Sequence, residues 1–287
     1  MRKYIYLVLL LAICLFLLFV VSLPDNDLHI VACDVGQGDA ILFQKSNIQI
    51  LIDGGPDSKV LQCLSKYMPF WDRTIELVIL THPQTDHFTG LIDVFRRYSI
   101  DALLANSVDA SSGSYQVLKK DIRGMNLKLV NPKTFMKINL NDIKISLLNP
   151  PELSDHPNQN VLGAFTTKED LNNFSIVSRF DYKNFTALTT GDMGPNITGR
   201  VMETGLIKNI TYLKVPHHGS KNGLTKEFLD LINPRVAVIS VGAKNHYGHP
   251  SPEVIDMLRK ANVITKRTDL DHSIHFVTDG EKWWFKP

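Results

Sequence analysis

Hydrophobic and polar positions alternate along this chain with two different periods, and one stretch does not alternate at all. From Tyr4 to Leu23 no charged residue occurs; Arg2 and Lys3 precede the run, and Asp25 and Asp27 come after it. As a helix, a stretch of that length crosses a bilayer, and cations before the span place the remainder of the chain outside the cytoplasm. A cleaved signal peptide is the rival reading. Its apolar region would be shorter, and no small-x-small pattern precedes Pro24. The expectation is an uncleaved membrane anchor over residues 1–26 and one extracytoplasmic domain over 27–287, secreted if the segment is cleaved.

From Leu28 the runs are short and of period two, "LHIVACDV", "DAILFQ" and "IQILIDGG", which predicts a meander of strands. Helical spacing then enters with "SKVLQCLSKYM", followed by a strand "ELVIL" and a helix through "GLIDVFRRY". Residues 106–172 are polar and turn-rich, and "SDHPNQNVLGAFTTKEDLNN" reads as a long surface loop. The second half repeats the theme. Paired strands "FSIVSRFDY" and "NFTALTTGD" lead to strands "ITYLKV", "RVAVISVG", "VITKRT" and "SIHFVTD", alternating with helices at "GRVMETG", "TKEFLDLI" and "SPEVIDMLRKA". Two such halves without a linker predict two sheets packed together, with helices outside.

Composition narrows this only a little. With 287 residues, 44% hydrophobic and 21% charged, the chain can bury one large core. A net charge of +2 gives no bulk argument for a nucleic-acid partner and leaves a local basic patch open. Of three cysteines, Cys14 falls in the apolar run. Cys33 and Cys63 sit in apolar contexts without a Cys-x-x-Cys pattern, and buried free thiols are expected rather than a disulfide.

Chemistry gathers where strands are predicted to end: Asp53 in "LIDGG", His82, Asp86 and His87 in "LTHPQTDHFTG", Asp192 in "LTTGDM", His217 and His218 in "KVPHHGS", and His249 in "NHYGHPS". His156 and His275 lie outside this pattern and read as ordinary surface or core residues. Two divalent ions a few ångströms apart need imidazoles, terminal carboxylates and one bridging carboxylate, with positions left for water and substrate. Asp86 and His87 can serve one ion, with Asp192 as bridge. Asp53, before two glycines, suits an orienting role or simple turn capping. Gln84 stands where a His-x-His-x-Asp-His cluster would carry a second imidazole, and an amide oxygen favours harder ions such as manganese or magnesium over zinc.

The segments "CDVGQGDAILF", "ILIDGG", "LTHPQTDHFTGL", "NNFSIVSRF", "LTTGD", "LKVPHHGS", "SVGAKNHYGHPS" and "RTDLDHSIHF", in this order, resemble the metallo-β-lactamase superfamily. More narrowly, they resemble the branch found as the extracytoplasmic domain of ComEC competence proteins. The resemblance implies an αββα sandwich of the α+β class, two mixed β-sheets flanked by helices, with a metal site at one sheet edge, divalent ions (zinc or manganese) as cofactor, and hydrolysis of phosphodiesters, with DNA as substrate. It implies one strong ion site of Asp86, His87, Asp192 and His249, and one weak site of His82 and Asp192, with Gln84 and Asn173 where further ligands would stand. His217, His218 and Ser220 would then act on the substrate beside Asp86. Other readings stay open: a hydrolase of another surface ester (phosphocholine ester, lactam or thioester), or a decayed module that binds DNA or a partner. One apolar segment cannot form the translocating channel of ComEC, so the resemblance does not by itself imply a role in DNA uptake.

Overall fold

The computed structural model describes residues 2–21, 24–151 and 161–287. His156 lies outside the described residues. The helix α1 (Arg2–Val21) opens the chain. Its side chains are described at 4–14 and 16, and all are exposed. Among the described residues no helix is long and apolar enough to cross a membrane.

The first sheet has eight strands: β1 (Leu28–Ala32), β2 (Ile41–Lys45), β3 (Ile48–Ile52), β4 (Thr74–Leu80), β5 (Ser99–Ala105), β6 (Lys128–Val130), β14 (Ile274–Thr278) and β15 (Trp283–Lys286). Their spatial order is β15-β14-β1-β2-β3-β4-β5-β6, antiparallel from β15 to β3 and parallel from β3 to β6. The second sheet has seven: β7 (Lys137–Leu140), β8 (Ile143–Asn149), β9 (Val177–Tyr182), β10 (Phe185–Thr189), β11 (Tyr212–Lys214), β12 (Val236–Ile239) and β13 (Ile264–Arg267). Its order is β13-β12-β11-β10-β9-β8-β7, again half parallel and half antiparallel.

Alternation within strands builds the layers. Leu28, Ile30 and Ala32 face the second sheet, while Val31 and Cys33 face outward into a helix layer. Val236 and Val238 face the first sheet, while Ala237 and Ile239 turn the other way. Helices α2 (Lys59–Tyr67), α3 (Thr85–Phe95) and α4 (Gly113–Arg123) cover the first sheet through Leu64, Leu91 and Leu118, among others. Helices α5 (Pro195–Glu203), α6 (Lys226–Ile232) and α7 (Pro252–Lys260) cover the second through Val201, Phe228 and Leu258. A short turn of helix, α8 (Thr268–Asp271), precedes β14. This is the αββα sandwich.

One expectation is corrected. Cys33 and Cys63 are joined by a disulfide, with Cα atoms 5.8 Å apart, rather than being free thiols. The pairing is invisible locally because β1 and α2 are brought together only by the sheet between them. The polar middle of the chain holds regular structure ahead of the expected loop, whose first part lies outside the described residues. It holds α4, whose Ser112 cap accepts from the Tyr115 amide and whose Tyr115, Leu118 and Ile122 are buried, together with strands β6, β7 and β8. Its helical spacing is masked in the sequence by charged residues on the exposed face.

Candidate metal centre

Functional side chains collect where parallel strands end, as in other open α/β sheets. Asp53 comes after β3, Thr81 and His82 after β4, Asp192 after β10, and His217 and His218 after β11. The turn after β3 lies tight against α3: the Gly54 amide donates to the His87 carbonyl at 2.7 Å, and a Cβ on Gly90 would sit 2.0 Å from the Gly54 carbonyl oxygen. Only glycine permits that approach. The loop after β1 is equally close, since a Cβ on Gly38 would stand 2.1 Å from the Asp86 carbonyl oxygen.

Asp53 is fully buried and accepts three hydrogen bonds: from the Thr81 amide at 2.8 Å, the Thr81 hydroxyl at 2.7 Å and His87 Nδ1 at 2.8 Å. With that proton spent on Asp53, His87 turns Nε2 toward the centre. Thr81 Oγ1 lies 3.0 Å from His82 Nδ1; since the hydroxyl gives its proton to Asp53, it accepts from His82 and fixes the same tautomer there. His218 Nδ1 donates to the Ser240 carbonyl at 2.9 Å. Three imidazoles are thus held with Nε2 turned toward the centre.

Those atoms converge. His87 Nε2 is 3.3 Å from Asp192 Oδ1, and His218 Nε2 is 3.4 Å from both Asp86 Oδ2 and Asp192 Oδ2. Ligand atoms of Asp86, His87, Asp192 and His218 all lie within 4.8 Å of one another. His82 Nε2, His87 Nε2, His218 Nε2 and Asp192 Oδ1 are buried without a hydrogen-bond partner. Buried polar atoms are rarely left so. Two or three imidazole nitrogens with two carboxylates form the donor set of a zinc or manganese site, and the residues present fit a divalent cation.

The carboxylates set the charge of the centre. Burial opposes charge on His87 and His218, yet Asp192, with Asp86 and Asp53 for His87 and Asp39 for His218, outweighs it and holds both well above the usual imidazole range. Burial also opposes the Asp192 carboxylate, but His218 and His87 hold it well below the usual range. The pocket favours positive charge at its centre. His82 differs: burial, then His87 beside it, pushes it down to about 3, leaving a neutral imidazole.

The structure therefore brings Asp86, His87 and Asp192 together with His218. It does not bring His249 into that group. His249 stands on the rim of the cleft, part-exposed, its ring 5.8 Å from that of His217. His217 is the imidazole that opens to the cleft, with Nε2 3.7 Å from Asp192 Oδ2. Both members of the pair have left-handed backbone, φ 49° and 53°, which turns the two adjacent side chains apart. Gln84 caps the start of α3 and lines the cleft beside His82. Asn173 does not reach it: its carbonyl accepts from Asn149, and Ser175 is the nearby side chain that touches the site, taking the Asp192 amide at 3.2 Å. Ser220 is buried in the turn, where its hydroxyl accepts from the Asn222 amide. His275 is remote, paired with His29 at 2.8 Å. The cleft measures about 330 Å³, and Thr85, Asp86, Asp192, His217 and His218 line it.

Two residues escape the sequence pattern. Lys214, the last residue of β11, is fully buried and pairs with Asp39 Oδ2 at 2.5 Å; Asp39 Oδ1 is 3.4 Å from His218 Nδ1. Burial disfavours the Asp39 carboxylate, but Lys214 and then His218 hold it far below its usual range. The signal for them is slight: an aspartate in "GQGDA" and a lysine before "VPHHGS", each close to a segment with more obvious chemistry.

This fold, with its His/Asp cluster at the strand ends, defines a class of metal-dependent hydrolases. The chain belongs to the metallo-β-lactamase superfamily, whose family profile matches residues 33–243. Among characterised proteins it is similar to ComE operon protein 3 of Bacillus subtilis (strain 168), 23% identical over 280 residues, covering 91% of this chain and 34% of the relative. It is also similar to the competence protein ComA of Neisseria gonorrhoeae, 23% identical over 261 residues, covering 89% and 33%. Both are competence-related proteins of the ComEC type, and the chain spans about a third of their length. Among solved structures, the metallo-β-lactamase fold protein YhfI from Bacillus subtilis superposes with a TM-score of 0.53 at 15% identity, covering 91% of this chain and all of that one. The Zn(2+)-bound PqqB from Methylobacterium extorquens gives 0.53 at 11% identity, covering 86% and 99%.

Proposed function

We propose that the protein is a membrane-anchored extracytoplasmic phosphodiesterase that cleaves DNA. The observation that carries the reading is the set of unpartnered buried atoms, His82 Nε2, His87 Nε2, His218 Nε2 and Asp192 Oδ1, the last two belonging to residues that line an open cleft; the competence-related relatives supply the substrate class. Asp86, His87, Asp192 and His218 would hold the stronger ion; His82 and Asp192, beside Gln84, would hold a weaker and harder one. When bound, such ions polarise a phosphoryl oxygen and ease the deprotonation of water. The chain's own residues do the rest. Asp53 orients His87 directly and His82 through Thr81. His217, open to the cleft, is placed to hold a phosphate or to protonate a leaving oxygen.

Localisation rests on the sequence of the N-terminal segment and on the disulfide. The uncharged stretch Tyr4–Leu23 comes after Arg2 and Lys3, and a Cys33–Cys63 bridge is the chemistry of an oxidising compartment. Gln84 supports the rival reading of a decayed binding module; the complete quartet opposite it argues against that. The test is metal content of the purified full chain, with activity on single-stranded DNA and on an aryl phosphodiester. Manganese- or zinc-dependent cleavage of DNA is expected. Protein that takes up no divalent ion under any condition overturns the enzyme reading, and a domain shielded from protease added to intact cells overturns the topology.

A further inference from the structure

The rim of the cleft carries a large aromatic side chain that the metal centre does not use. Tyr247 is 72% exposed, yet it lines the cleft together with His217 and His249. Exposed tyrosines are ordinary on mobile tips; this one is held. Asn245 knits the loop after β12 with four hydrogen bonds. Its amide group donates to the carbonyls of Gly242 and His249, both at 2.8 Å, and its oxygen accepts from the amides of Tyr247 at 3.2 Å and His249 at 3.0 Å. Gln37 fastens the base of the loop by accepting from the Gly242 amide at 3.2 Å. The Tyr247 ring is backed by the His249 ring, nearly parallel at 18° with centroids 5.8 Å apart, and His249 is in turn braced edge-on by His217. One face of the tyrosine is thus supported and the other is left to the cleft.

We propose that Tyr247, backed by His249, is a stacking platform for the nucleobase next to the scissile phosphate. A flat, pre-oriented ring costs little conformational entropy when a base lies on it and accepts any base, since every base has a π-face. Lys244, exposed on the same loop, and Lys221, exposed just beyond Ser220, supply ammonium groups for the flanking phosphates. The platform accounts for a histidine that stands at the site without joining the quartet: His249 supports the ring that holds the substrate. The inference rests on the DNA reading and sharpens it from phosphodiesters in general to those that carry bases.

The experiment compares two fluorescent single-stranded oligonucleotides, one with normal bases and one with an abasic run. Binding is measured by anisotropy with metal chelated, and cleavage by gel with manganese, using the full chain in detergent. Wild type should bind the base-bearing strand about tenfold more tightly, the usual weight of one base-on-aromatic stack. Tyr247→Ala should bring that ratio close to one, and Tyr247→Phe should keep it. Equal binding of the two strands by wild type, or an unchanged ratio in Tyr247→Ala, overturns the platform while leaving the nuclease reading standing. A retained ratio without cleavage overturns the nuclease reading alone. Tighter binding of a sugar-phosphate polymer than of either strand assigns the ring to carbohydrate and overturns the proposal.

Discussion

The two flanks of the metal centre share one support and differ in what it holds. On one flank, Asp86, His87, Asp192 and His218 present ligand atoms within 4.8 Å of one another. On the other, His82 offers a bare Nε2, but the next cleft-lining side chain is the Gln84 amide. Asp53 fixes the ring on both sides, directly for His87 and through Thr81 for His82. On the two-ion reading, the weakness at Gln84 is therefore local: the scaffold that fixes the rings is in place although one ligand position carries an amide. A site decaying as a whole would have lost that scaffold as well.

The comparison breaks most sharply at Asp192, which both flanks share. Asp192→Ala should abolish both metal uptake and turnover, beyond the roughly 10–100-fold that a residue merely supporting a ligand is worth; mass-spectrometric metal content near wild type would show that the flanks are independent of it. Next in size, Lys214→Met strands the buried Asp39 carboxylate and should cost about 3–5 kcal/mol in urea unfolding. Adding Asp39→Leu should recover most of that stability. Metal affinity should stay about tenfold weak, because His218 has lost the carboxylate behind its ring; full recovery of affinity would reduce the pair to a packing element. A third measurement sets the two candidate histidines against each other. His218→Ala should weaken metal binding by at least about tenfold and His249→Ala should not, since only His218 lies in the quartet; the reverse outcome would return the ligand role to the rim. The smallest effect belongs to the weak flank. Gln84→His or Gln84→Asp should lower the manganese concentration for half-maximal activity by roughly tenfold, a difference of about 1.4 kcal/mol. Activity appearing only in the variant would mark the natural site as a relic.

Much of this is legible in the sequence, and the remainder is hidden for definite reasons. Period-two runs that end in Asp53, His82 and Asp192 reveal both the sheets and the ends that carry the site, because strand direction decides where a terminal side chain emerges. The choice between His217, His218 and His249 is set by two left-handed residues, a backbone feature that no side-chain pattern encodes. Asp39 and Lys214 are 175 positions apart and meet only because β11 lies across the sandwich from the loop after β1. Cys33 and Cys63 are joined for a similar reason, from elements that share a core but no local pattern.

Strand direction also sets a height. β1 runs parallel to β3 and β4, so the chain enters the sandwich at Leu28 on the end opposite the cleft, and Asn26 is already docked there by the Tyr182 hydroxyl at 3.1 Å. The seven residues of β4 alone separate the two ends by about 23 Å. On the proposal that the uncharged N-terminal segment is a membrane anchor, the cleft would stand clear of the bilayer and face away from it. Lipid headgroups in the same leaflet would then be out of reach, whereas a long flexible polymer approaching from outside would meet the open mouth first.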